Sequence, residues 1–76
     1  MENVRGILAR NVRLGRQQLH LSQEELAAQA NIDRTYISGI ERETRNPTIT
    51  IVAKIAEVLG TTAAALLTNQ SKTTEF

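Results

Sequence analysis

Apolar residues recur at intervals of three and four positions along most of this sequence, the spacing that places them on one side of an α-helix. The first such series consists of Val4, Leu8, Val12, Gly15 and Leu19, with Ile7 and Leu14 at its edge. The alternation typical of β-strands is absent apart from the short run TITIV at residues 48–52. Glycine and proline are sparse, and no internal repeat is visible. The chain is therefore predicted to be all-α.

Small polar residues divide this apolar pattern into short helices. A serine, aspartate or threonine can start a helix by accepting a hydrogen bond from a backbone N–H. Residues of this kind precede the later apolar segments: Ser22, Asp33, Thr48 and Thr62. Ser22 is followed three positions later by Glu25, which completes a capping box. Asn31 and Gly60 suit the left-handed conformation that ends a helix. The sequence thus predicts five helices, with a sharp turn between the second and third, and with the fifth over residues 63–67.

Size and composition limit the architecture. The 76 residues suffice for one small domain, predicted over residues 1–67 and followed by a polar, flexible tail over residues 68–76. The chain contains no cysteine and one histidine, so neither disulfides nor a zinc cluster is expected. It has no apolar run as long as a membrane span and no N-terminal secretion segment. We therefore expect a cytoplasmic protein that does not associate with membranes.

The charge is distributed unevenly along the chain. The net charge is only +1, which by itself does not indicate a nucleic-acid partner. Residues 3–23, however, contain no acidic residue and carry Arg5, Arg10, Arg13 and Arg16. A basic first helix is therefore predicted in a nearly neutral protein.

The third predicted helix has two different faces. Its apolar face contains Tyr36, Ile37 and Ile40. Its opposite face has no acidic residue and consists of Arg34, Thr35, Ser38 and Gly39. Two short helices joined by a sharp turn, the second with such side chains outward, fit the major groove of DNA. Gly39 would let the helix backbone approach DNA closely. From periodicity alone, the same face could equally be an ordinary solvated surface.

The fourth predicted helix has two apolar faces. One consists of Ile49, Val52, Ala53, Ala56 and Leu59. The other consists of Ile51, Ile55 and Val58, and the narrow polar stripe between them of Thr50, Lys54 and Glu57. A small domain can bury one such face in its own core. The second is covered by the fifth helix, by another subunit or by both. As a dimer interface it would include Ala65 and Leu66.

The segment LSQEELAAQANIDRTYISGIERETRNPT resembles the helix-turn-helix of the phage-repressor and Cro-like family, of the xenobiotic-response-element type. The resemblance covers residues 8–67, and the run RTYISGIER followed by RN is especially similar to controller proteins of restriction-modification systems. It implies a compact five-helix, lambda-repressor-like DNA-binding domain with the helix-turn-helix at helices two and three.

The resemblance also implies roles for individual residues. Those expected to contact bases are Arg34, Thr35, Ser38 and, at a base edge or the backbone, Tyr36. Those expected to contact phosphates or the minor groove are Gln23, through its side chain and the local helix dipole, Arg13, Arg45, Asn46 and Thr48. The alternatives are that Tyr36 is only an aromatic at the edge of the core, and that Arg45 and Asn46 belong to a plain loop.

A salt bridge and two departures complete the comparison with this family. Arg16 and Glu41 match a pair that joins the first helix to the end of the recognition helix, and both lie at the border of an apolar face. Family members usually have glycine where this chain has His20, so a different turn is expected there. They commonly have a large apolar residue in place of Gly15, so packing is expected from Leu14 and Leu19 instead.

The predicted function is sequence-specific DNA binding by a transcriptional regulator. A homodimer would insert the third helix of each subunit into successive major grooves of a (pseudo)palindromic operator. No phosphate-binding loop, activated nucleophile or convergent carboxylate pair is present, so no enzyme and no cofactor, metal or small-molecule site is predicted. Such a regulator would be bacterial or phage-encoded and nucleoid-associated. The alternative is an antitoxin-like interaction protein whose DNA binding is autoregulatory.

Overall fold

The computed structural model describes residues 3–69 and contains five helices in that range. They are α1 (Val4–Gln18), α2 (Gln23–Ala30), α3 (Arg34–Glu41), α4 (Ile49–Leu59) and α5 (Ala63–Leu66). No strand occurs among these residues, so the predicted all-α, five-helix class is confirmed. Most of the predicted tail lies outside the described residues, and the division of the chain at residue 67 stays a prediction.

Each predicted capping residue accepts a hydrogen bond from a backbone N–H in the first turn of its helix. Ser22 Oγ accepts from the N–H of Glu25 at 3.0 Å, and Glu25 Oε1 accepts from the N–H of Ser22 at 2.8 Å, which completes the capping box. Asp33 caps α3 through the N–H of Thr35 at 2.8 Å. Thr48 and Thr62 cap α4 and α5 in the same way. Each start depends on residues adjacent in sequence, which is why the sequence predicts all of them.

The first four helices share one type of ending. A residue with positive φ follows the end of each: His20 (57°), Asn31 (59°), Glu43 (64°) and Gly60 (74°). The next N–H then donates to a carbonyl five residues earlier, at 2.9 Å in each turn: Leu21 to Arg16, Ile32 to Ala27, Thr44 to Gly39 and Thr61 to Ala56. This hydrogen bond satisfies a carbonyl that the helix itself leaves unpaired. The prediction of a different turn at His20 was therefore wrong, because His20 itself adopts the left-handed conformation.

Replacement of His20 by glycine is expected to raise the free energy of unfolding by about 1 kcal/mol, because a left-handed backbone strains any residue with a Cβ. Urea denaturation of both proteins measures the difference. His20→Ala is the matched control, since it removes the imidazole and keeps the strain. An equal gain in both variants would assign the effect to the side chain and contradict the backbone argument.

The core draws on all five helices and includes the inner face of α3. Its fully buried centre consists of Leu26, Ile37, Ile40, Ile55 and Val12. Leu8, Ala27, Val52, Ala56 and Leu66 complete the cluster. Because Ile37 and Ile40 hold one side of α3 inside the domain, the opposite side of that helix is turned toward solvent.

The packing of α1 differs from the prediction. Of the predicted apolar series, Leu8 and Val12 are buried, whereas Leu19 is about half exposed. The space above Gly15 is occupied by Leu59, whose Cδ1 would lie 3.0 Å from a Cβ at that glycine. Leu59 of α4 therefore supplies the packing that was expected from Leu14 and Leu19.

The inward face of α4 was also predicted incorrectly. Its buried residues are Val52, Ile55 and Ala56, which combine members of the two predicted faces. Ile55 is 0% exposed, whereas Ile49 is 66% exposed. The spacing cannot distinguish these arrangements, because the rotation of α4 is set by its packing on α2 and α5.

Asn11 joins α1 to the end of α5. Its side-chain amide is buried and donates to the carbonyls of Leu66 at 2.8 Å and Thr68 at 2.9 Å. These carbonyls lie at a helix end, where intrahelical partners are lacking. This role of Asn11 was not predicted from the sequence, since the acceptors are backbone atoms more than fifty positions away.

Candidate nucleic-acid interface

The exposed side of α3 carries the predicted base-contacting residues. Arg34 and Thr35 are exposed, and Tyr36 and Ser38 are partly exposed. Their helix is fixed from beneath by Ile37 and Ile40, so these four side chains share a rigid support. The tight turn over residues 31–33 joins this helix to α2, which gives the predicted helix-turn-helix arrangement.

Asp33 holds Thr35 at the beginning of this surface. The carboxylate Oδ1 accepts from the backbone N–H of Thr35 at 2.8 Å and from its hydroxyl at 2.7 Å. The side-chain and backbone hydrogen bonds from Thr35 lower the pKa of Asp33 below its ordinary range. Because the hydroxyl of Thr35 donates a hydrogen bond to Asp33, its methyl group is the part that remains for an apolar contact.

Arg42 is a functional candidate that the sequence analysis missed. This exposed arginine follows the last residue of α3, and its Nη1 donates to Ser38 Oγ at 2.6 Å. The spacing could have revealed it, because Arg34, Ser38 and Arg42 are four residues apart and adjoin along one side of a helix. A row of two guanidinium groups and one hydroxyl therefore runs along α3.

Arg34 lies beside the start of α2. Its Nε is 4.0 Å from Glu24 Oε2, and the two side chains are 51% and 80% exposed. Exposed ion pairs of this kind are weak, so Arg34 can exchange Glu24 for another partner. Arg34 lines one shallow cleft together with Arg16, Ser22, Gln23 and Glu24.

The carboxylate of Glu41 joins the first three helices behind this surface. The predicted partner Arg16 donates to it twice, from Nε at 2.8 Å and from Nη2 at 3.0 Å. Burial acts to raise the pKa of Glu41. This effect is outweighed by the hydrogen bonds from Arg16 and Gln23 and by the charges of Arg16 and Arg13, so the pKa of Glu41 lies below its ordinary value. The hydrogen bond to Glu41 also raises the pKa of Arg16. Glu41 therefore remains ionised and fixes α3 to α1.

Two residues that were predicted to contact phosphate, Gln23 and Arg13, form hydrogen bonds with Glu41 instead. Gln23 Nε2 donates to Glu41 Oε1 at 3.1 Å. Arg13 Nη2 donates to the backbone carbonyl of Glu41 at 3.0 Å, although about half of its side chain is exposed. Both residues thus have structural partners that their sequence positions did not reveal.

The loop from α3 to α4 carries the other predicted contacts, Arg45, Asn46 and Thr48, which are all exposed. The guanidinium carbon of Arg45 lies 5.1 Å from the centroid of the Tyr36 ring, a cation–π distance. Gly39 is buried next to the stem of Arg45. The prediction that Gly39 lies on the outward face was therefore wrong, because the Arg45 side chain covers it.

The predicted dimer residues fall into two groups. Ile55 and Leu66 are 0% and 3% exposed and belong to the core of the subunit, so their assignment to an interface was wrong. They are covered because α4 and α5 pack against each other and against α1. Ile51, Val58 and Ala65 are partly exposed and keep accessible surface for a partner.

Within residues 3–69, no cluster of three or more histidine, cysteine or acidic side chains has the arrangement of a metal site. No helix in this part of the chain combines the length and apolar character needed to cross a membrane.

The helix-turn-helix family matches residues 12–66, which include α2 and α3. The chain belongs to the helix-turn-helix family. Among curated relatives, the control protein C.SmaI of Serratia marcescens is 43% identical over 68 residues, which are 90% of this chain and 81% of that protein. A hypothetical transcription factor of Neisseria meningitidis is 44% identical over 66 residues, 87% of this chain. The chain spans 62% of the length of that relative.

Solved helix-turn-helix structures are similar over most of the chain. A hypothetical transcription factor from Neisseria has a TM-score of 0.89 and 41% identity, covering 93% of this chain and 82% of that one. The restriction-modification controller protein C.Esp1396I, a tetramer in complex with its natural 35 base-pair operator, has a TM-score of 0.76 and 33% identity. That match covers 87% of each chain.

Proposed function

We propose that this protein is a transcriptional regulator that binds a (pseudo)palindromic DNA operator as a homodimer. The observation that carries the proposal is the exposed side of α3, with Arg34, Thr35 and Ser38 on a helix anchored by Ile37 and Ile40. A single α-helix fits the major groove, where base edges can be distinguished. Membership of the helix-turn-helix family supports the same function.

Base reading is assigned to Arg34, Thr35, Ser38 and Tyr36, with Arg42 added from the structure. Arg34 can donate two parallel hydrogen bonds to guanine, and it gives up only a 4.0 Å surface ion pair in doing so. The methyl group of Thr35 suits the thymine methyl, since its hydroxyl is bonded to Asp33. Tyr36 contributes a base-edge or backbone contact beside Arg45.

Backbone contacts are assigned to both ends of the helix-turn-helix. The start of α2 offers N–H groups that lack intrahelical partners, so Gln23 would bind phosphate through its backbone while its side chain stays on Glu41. Arg45, Asn46 and Thr48 would contact the adjacent backbone or minor groove, and Arg13 would contribute its charge.

Dimerisation through α4 and α5 explains how a chain with a net charge of +1 binds DNA, because two linked surfaces act together. The accessible residues for this contact are Ile51, Val58 and Ala65. With α3 of each subunit in a major groove, the half-sites would lie about 34 Å apart.

Replacement of Val58 by aspartate is expected to weaken dimerisation at least tenfold, because it buries an unpaired carboxylate in the contact. Analytical ultracentrifugation measures the change, and far-UV circular dichroism checks that the helices persist. Thr50→Asp adds the same group to the exposed polar stripe of α4 and should leave dimerisation unchanged. Equal dimer strength in Val58→Asp and the parent protein would contradict the assigned interface.

Selection of bound sequences from random DNA, with the mass of the complex determined in parallel, tests the function as a whole. We expect an enriched palindrome and two subunits per palindrome. Absence of an enriched sequence would refute the proposal.

We further propose that the operator controls genes of a restriction-modification system. The similarity to control proteins such as C.SmaI supports this assignment. The protein would then act in the cytoplasm in association with the nucleoid, and it would have no catalytic activity of its own. A reporter gene placed behind the selected operator should respond to expression of the protein.

A further inference from the structure

We infer that Gly39 is a positioning residue whose missing side chain provides the space in which Arg45 is held for DNA contact. The inference rests on the proposed DNA-binding function. It concerns how the chain arranges Arg45 before any DNA arrives, which can be measured on the free protein.

The first support is the contact between the two residues. A Cβ built on Gly39 would overlap Cγ of Arg45 and would lie 3.3 Å from its Nε and 3.4 Å from its Cδ. Cγ is close to the backbone of Arg45, so the whole side chain would have to move to make room. The stem of Arg45 therefore occupies the volume that any other residue at position 39 would fill.

The second support is that Arg45 is held at both ends of its side chain. Its stem lies on Gly39, and its guanidinium carbon lies 5.1 Å from the centroid of the Tyr36 ring. Arginine loses much rotational freedom when it is ordered, and a side chain ordered in advance loses less on binding. The arrangement thus prepares an exposed cation beside the reading helix.

The third support is the backbone of the loop. The carbonyl of Gly39 accepts from the N–H of Thr44 at 2.9 Å and from its hydroxyl at 3.1 Å. Thr44 immediately precedes Arg45, so position 39 fixes both the start of the loop and the side chain that follows.

Backbone conformation does not account for this glycine. Gly39 lies within α3, and the glycine with positive φ among residues 3–69 is Gly60. A glycine inside a helix is less favourable than alanine. Its burial also removes the alternative that it allows close approach of DNA to the helix backbone. Space for Arg45 is the remaining structural reason for glycine at this position.

The test combines Gly39→Ala and Arg45→Ala, singly and together, in the full chain. Binding to the selected operator should weaken about tenfold in Gly39→Ala, and the log–log salt slope should fall by about one per subunit. In the Arg45→Ala background, the same glycine replacement should not weaken binding further. Equal losses in both backgrounds would overturn the inference, because Gly39 would then act independently of Arg45.

Two measurements on the free protein separate this inference from the proposed function. By nuclear magnetic resonance, the Arg45 side-chain protons should be shifted by the Tyr36 ring, and this shift should disappear in Gly39→Ala as it does in Tyr36→Leu. In the Arg45→Ala background, Gly39→Ala should raise the thermal midpoint by about 5 °C, since alanine favours the helix and no longer displaces a neighbour. An unchanged ring shift in Gly39→Ala would overturn the positioning role. A protein that selects no DNA sequence but shows both effects would refute the proposed function alone.

Discussion

Replacement of Glu41 by glutamine is expected to lower the free energy of unfolding by about 3–5 kcal/mol at neutral pH, because it leaves a partly buried arginine without its counter-ion. Glu41 is 6% exposed, and Arg16 donates to its carboxylate at 2.8 and 3.0 Å. Urea denaturation measures the loss. Glu57→Gln removes an exposed carboxylate from α4 and should change the free energy by less than about 0.5 kcal/mol. Equal effects of the two replacements would contradict the prediction, because the buried carboxylate would then contribute no more to the free energy of unfolding than an exposed one.

The same replacement should change the response to acid. The pKa of Glu41 in the folded chain lies below its ordinary value of 4.5. The ionised carboxylate therefore stabilises the fold fully above that value, and its contribution is lost as the pH falls through the lower, folded pKa. We expect the free energy of unfolding of the parent protein to drop below about pH 4.5 and that of Glu41→Gln to drop less steeply. Parallel pH profiles would contradict the assignment of this acid sensitivity to Glu41.

Replacement of Arg34 by alanine is expected to remove about 1–3 kcal/mol of discrimination at one base pair in each half-site. Fluorescence anisotropy with the selected operator, its single-base variants and random DNA measures the change. The fold should be preserved, since Arg34 contributes only an exposed 4.0 Å ion pair to the free protein. Arg45→Ala is the comparison, because loss of a backbone contact should weaken binding to all sequences more evenly. Equal losses on operator and random DNA in Arg34→Ala would refute its role in base reading.

The features that the sequence predicted correctly depend on near neighbours. Helix starts at Ser22, Asp33, Thr48 and Thr62 require only a side chain and an N–H two or three residues away. The Arg16–Glu41 pair could also be predicted from the sequence, because both residues lie at borders of apolar faces and match a family pattern. Local geometry and resemblance were thus sufficient to predict the fold and the position of α3.

The features that were missed depend on how distant segments pack. The rotation of α4 that buries Ile55 is decided by contacts with other helices, and periodicity gave two equivalent faces. The hydrogen bond from Arg13 ends on a backbone carbonyl, which has no sequence signature. The contact of Arg45 with Gly39 requires the loop to return across α3. The DNA contact proposed for Arg45 stays a prediction, which the Arg45→Ala variant tests.

The convergence of α1, α2 and α3 on the Glu41 carboxylate has a consequence for the proposed complex with DNA. Because Arg16, Gln23 and Glu41 join α3 to α1 and α2, we expect that α3 would not tilt independently in the major groove of the proposed complex. In a dimer of two such rigid units, any mismatch with the helical repeat has to be absorbed by bending or twisting of the DNA between the half-sites. Base pairs that no side chain touches would then affect affinity through their flexibility, and the central spacer of the operator would itself carry sequence information.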